Sequence, residues 1–64
     1  MNRTIQLMDR VVSIKSEGKV CQLVNPHIIR VNWDGIGELN MPVRLFRWDN
    51  SFKVWEIKEG REYV

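Results

Sequence analysis

Sixty-four residues allow one domain at most, and a chain that short hides only about 60% of its unfolded surface, so its core is small and its stability marginal. Ten Lys and Arg against eight Asp and Glu leave a net charge of +2, without the dense basic patch of a dedicated DNA-binding domain. An apolar content of 44% and a charged content of 28% argue against disorder, and the single cysteine excludes a disulfide framework and a cysteine-rich metal cluster.

The opening MNRTIQLM lacks the apolar core of about 7–15 residues that a secretory signal needs. No apolar run approaches about 18 residues, so no membrane span is expected. With one unpaired thiol, the expected location is a reducing, cytoplasmic compartment.

In chain order, DRVVSI (9–14) is the first alternating run, with Val12 and Ile14 on one face and Val11 and Ser13 on the other. It ends at KSEG, where Ser16 to Gly18 read as a polar turn. KVCQLV (19–24) is the second run, Val20 and Val24 facing one way and Cys21 and Leu23 the other. Asn25-Pro26-His27 breaks it, because proline has no N–H to give a ladder. IIRVNW (28–33) is the cleanest strand, with Ile29, Val31 and Trp33 as an inward row and Arg30 and Asn32 facing water.

Asp34-Gly35-Ile36-Gly37 separates that strand from ELNM (38–41), in which Leu39 and Met41 alternate. Asp-Gly between alternating hydrophobics is a strong hairpin signal, since glycine accepts the positive φ of a tight turn. A phosphate loop would need a helix to follow, and ELNMP is not one. Pro42–Leu45 reads as a single 3-10 turn. Phe46–Trp48 and Phe52–Ile57 form a last hairpin around Asp49-Asn50-Ser51, with a frayed, charged tail over 58–64 in which Tyr63 and Val64 could dock. The rival is a helix carrying Trp48, Phe52, Trp55 and Glu59 on one stripe. The aromatic and β-branched content of FKVWEI favours strand.

Chemistry-bearing residues are sparse. Cys21 and His27 are the only conventional nucleophile and base, and no third group is evident to orient them, so Cys21 reads as a small half-buried hydrophobe. Asp9, Glu17, Asp34, Glu38 and Asp49 fall in turns or at strand ends, not as a pair with shifted acidities. No catalytic residue, cofactor site or metal site is expected. Of the three tryptophans, Trp33 belongs to the inward row, while Trp48 and Trp55 lie among Arg44, Arg47, Lys53 and Lys58. Three such rings exceed what a core this small encloses, so at least one should be partly exposed. Aromatic planes beside cations suit either a protein hot spot or base stacking, or they simply close one end of the sheet.

The succession DRVVSI, EGKVCQLV, IIRVNWDGIGEL and MPVRLF resembles the SH3-like small β-barrels, the KOW and Tudor group among them. The resemblance covers roughly residues 9–48 and is carried by hydrophobics and turns. It implies an all-β fold: one small barrel of five or six short antiparallel strands with one 3-10 turn, occupying 1–64. The glycine spacing departs from a KOW motif, and no close aromatic cluster offers a methyl-lysine cage, so neither activity carries over.

The functional expectation is a small non-enzymatic binding module, a bacterial or phage regulator that contacts a protein partner through Trp48, Trp55, Arg44, Arg47, Lys53 and Arg30. Nucleic acid is the alternative ligand of the same basic and aromatic face. Edge strands left by an incompletely closed barrel would allow a homo-oligomer.

Overall fold

The strongest alternation in the sequence becomes an interior strand of the sheet. In the computed structural model, which describes residues 3–57, Ile28–Trp33 pairs on both sides. The strands are β1 (Arg10–Val12), β2 (Glu17–Asn25), β3 (Ile28–Trp33), β4 (Gly37–Pro42), β5 (Phe46–Asp49) and β6 (Val54–Ile57), with one 3-10 turn at Val43–Leu45. They form a single sheet in the order β4-β3-β2-β1-β6-β5. The fold is all-β, as expected. The expected frayed tail over 58–64, with Tyr63 and Val64, lies outside the described residues.

The inward row is as expected: Ile29, Val31 and Trp33 are buried to within 1%. They share one cluster with Ile5, Val11, Val20, Met41, Phe46 and Trp55. Six flat strands would spread over roughly 24 Å between their outermost members, leaving one apolar face wet. Here Met41 of β4 and Phe46 of β5, from the two ends of the sheet, are buried in the same cluster. The sheet therefore curls and serves as its own second layer. The 3-10 turn makes the corner, with Pro42 extended at φ −66° before it and the Val43 N–H bonded to the His27 carbonyl at 2.8 Å.

The Asp34–Gly37 segment is a bend. The Ile36 N–H closes a turn onto the Trp33 carbonyl at 3.1 Å, and Gly35 and Gly37 have φ of +77° and +108°. Positive φ at the second central residue of such a turn selects glycine. The last hairpin also forms, Phe46 opposite Ile57 and Trp48 opposite Trp55, so the helical stripe is not used. Its turn is held by the Asp49 side chain, which accepts from the Ser51 and Phe52 N–H groups at 2.9 and 3.2 Å. That arrangement leaves Phe52 outside at 75% exposure.

Three readings change. Gly18 is a buried strand residue opposite Trp33 and not part of a turn. A methyl there would sit 2.3 Å from the Asn32 carbonyl oxygen, so glycine is needed for close backbone approach. Along β2 the alternation fails, because register shifts fall between Val20 and Gln22 and between Leu23 and Asn25. The second half of β2 therefore buries nothing: Leu23 and Val24 are exposed, and so is Cys21, which is no half-buried hydrophobe. The first run shows which of its two faces is inward: Val11 is fully buried and Ile14 is 69% exposed. Finally, β1 and β6 pair in parallel, Val11 opposite Trp55, while the other pairings are antiparallel.

Candidate functional site

Residues 3–9 carry no regular strand, yet they complete the molecule. The Met8 N–H bonds the Val20 carbonyl and the Val20 N–H bonds the Asp9 carbonyl, both at 2.9 Å, so this strap follows β2 beyond the end of β1. It buries Ile5 in the core at 7% exposure. Asp9 fixes the strap to the last hairpin. Its carboxylate accepts from Trp55 Nε1–H at 3.0 Å, from Arg3 at 2.8 Å and from the Gln6 N–H at 2.9 Å. Burial pushes this carboxyl up, but the bonds from Trp55, Arg3 and Gln6, with the Arg3 charge, outweigh it and hold the group below its ordinary value.

Arg3 then reaches Trp48. Its guanidinium carbon lies 4.6 Å from the ring centroid, a cation–π contact, while Trp48 meets Trp55 edge to face at a 5.3 Å centroid separation. Trp48 stands half-buried at the boundary between two surface depressions of about 820 Å³ each.

The first depression is a groove with an apolar floor of Ile5, Ile29, Phe46 and Trp55. Its rim carries Arg3, Arg44 and Arg47, and among the described residues no Asp or Glu lines it. Arg47 has a cross-strand partner, Glu56, at 3.0 Å, and its side chain is 67% exposed, an ion pair that water can exchange. The Arg44 side chain makes no hydrogen bond or ion pair with a described residue and lies in the middle of the 3-10 turn. The second depression is bounded by Arg3, Met8, Asp9, Arg10, Trp48, Asn50 and Lys53. There Asn50 Oδ1 accepts from both Trp48 Nε1 at 3.4 Å and Lys53 Nζ at 3.3 Å.

Of the residues singled out from sequence, Trp48, Trp55, Arg44 and Arg47 therefore meet at one groove, with Trp55 contributing floor at 6% exposure. Lys53 lies across the Trp48 boundary. Arg30 stands apart on the outer face of β3 and β4, bonded to Asn40 at 2.9 Å and near Glu38 at 3.6 Å. The expectation that one tryptophan stays partly exposed applies to Trp48, since Trp33 is 1% exposed and donates its Nε1–H to Met41 Sδ at 3.3 Å. Sequence reasoning missed Arg3, Ile5 and the tethering role of Asp9. A strap outside the ladder has no period, so only the contacts reveal it.

Cys21 donates to the Arg30 carbonyl at 3.4 Å, and His27 is held through its backbone N–H by Asn25 Oδ1 at 2.8 Å. Among the described residues, no group of three or more His, Cys, Asp or Glu is placed to hold a metal ion, and no helix is long and apolar enough to cross a membrane. In comparisons with known proteins, no family model, no curated protein and no solved structure matches this chain.

Proposed function

We propose that this protein is a small non-enzymatic binding module, a regulator that holds a segment of a partner protein in the groove beside Trp48. One observation carries the reading: an apolar floor lies open between Arg3, Arg44 and Arg47, with no acidic residue in its lining among the described residues. Tryptophan and arginine are the side chains most often found at the centre of protein contacts, because each gives large contact area with a polar handle. The exposed, unpaired thiol of Cys21 supports a reducing, cytoplasmic setting.

The test is selection of a random linear peptide library on the folded protein, followed by titration of the enriched peptides. Trp48→Ala should weaken binding at least tenfold while the circular dichroism stays native. No enrichment, or enriched peptides indifferent to Trp48→Ala, sinks the reading.

A second reading, nucleic acid, is favoured by the cations Arg3, Arg10 and Lys53 around Trp48 in the neighbouring depression. Against it, Arg3 already occupies a face of that ring, and a stacking base would have to displace it. This reading predicts oligonucleotide affinity that falls steeply with salt, with a slope reduced by Lys53→Ala. No binding at low salt removes it.

A further inference from the structure

The groove has a direction. Phe46, Arg47 and Trp48 are consecutive in β5, so their side chains alternate between the two faces of the sheet, yet all three line the same opening. An opening shared by both faces lies along the edge of a strand. Among the described residues β5 is the last strand of the sheet and pairs with β6 alone, so there its other edge presents backbone N–H and C=O groups outside the ladder.

From this we infer that the occupant is an extended acidic segment of a partner protein, which adds to the sheet as a further strand along the free edge of β5. The inference rests on the peptide-binding reading above and names its chemistry. In such a strand every second side chain falls beside Phe46 and Trp48, above the floor of Ile5 and Ile29, and must be apolar. The side chains between them fall beside Arg47 and must be acidic. Arg44, without a partner among the described residues and close by on the 3-10 turn, takes a carboxylate at one end. The backbone supplies affinity and the alternation supplies selectivity. The opposite edge strand, β4, offers no equivalent: it carries Glu38 and ends in Pro42.

The experiment takes the enriched library peptides and replaces each backbone N–H in turn by N-methyl. N-methylation at every second residue should weaken binding at least tenfold, and at the intervening residues less than threefold. The peptides should carry Asp or Glu at alternate positions, and Arg44→Glu with Arg47→Glu should abolish capture of acidic peptides while a lysine-substituted set gains affinity. Basic or proline-rich binders, or binders indifferent to N-methylation, overturn the strand-addition inference and leave the peptide reading standing. No enriched peptide overturns both. Sedimentation of the free protein should give one chain. An oligomer that the peptide disperses would make a second copy the occupant and overturn the inference as well.

Discussion

Asp9 shows how one side chain organises a chain this small. Its carboxylate, with 11% of the side chain exposed, collects donors from Trp55, Arg3 and Gln6 and so joins the strap to the last hairpin. The folded carboxyl lies below its ordinary 3.8, so folding favours the ionised form. That contribution is complete above the unfolded value and is lost as pH falls through the lower folded one. Asp9→Asn should therefore cost about 1–3 kcal/mol at pH 7, the scale of charged hydrogen bonds, and progressively less below about pH 4. Urea midpoints of both proteins at pH 7 and pH 3 check this, and a pH-independent gap would contradict it. Glycine makes the same point about context. At Gly18 a methyl would meet the Asn32 carbonyl oxygen at 2.3 Å, whereas at Gly35 a methyl would meet nothing within 4 Å and only φ at +77° is at stake. Gly18→Ala should cost about 3 kcal/mol through steric overlap and Gly35→Ala about 1 kcal/mol through backbone strain, read from the same denaturation curves.

Among the elements, β3, the β3–β4 turn and the 3-10 corner were legible in the sequence because each is decided locally. Alternation fixes the face of Ile29, Val31 and Trp33, and proline and glycine restrict φ whatever surrounds them. β2 was legible as a strand but not in its facing. Its register shifts remove the period-two rule, so Val24 does not follow Val20 inward. The strap of residues 3–9 had no local signature, since its order comes from Ile5 and from bonds to Val20 and Trp55. Ile5→Ala should destabilise the fold by about 2 kcal/mol and raise amide exchange at Met8 and Val20 above that of β3. Equal protection at those amides in both proteins would show that the strap is not held by its core residue.

At the scale of the molecule, stability comes from one apolar cluster wrapped by its own sheet. Among the described residues no polar or charged residue is buried, and no buried side-chain polar atom lacks a partner. The ion pairs Arg10–Glu17, Arg30–Glu38 and Arg47–Glu56 all have exposed arginines at 39% or more. Such pairs contribute about 0–1 kcal/mol each and are screened by salt. Raising sodium chloride from about 0.1 to about 1 M should therefore move the thermal midpoint by less than Ile5→Ala does. A larger salt effect would mean that surface charge, and not the cluster, holds the fold.

The sequence alone determined the strand alternation, the turns that punctuate it and the all-β class, because those follow from side-chain period and from the limits that Gly and Pro place on φ. It also placed Trp48, Arg44 and Arg47 close together in the chain, since they lie on one turn and the strand after it. Only the tertiary structure decided that β1 and β6 run parallel, that Trp55 is floor, and that Arg3 and Ile5 close the same groove. Those are contacts between distant parts of the chain, and they depend on how the sheet curls to bury its apolar face, which no local pattern encodes.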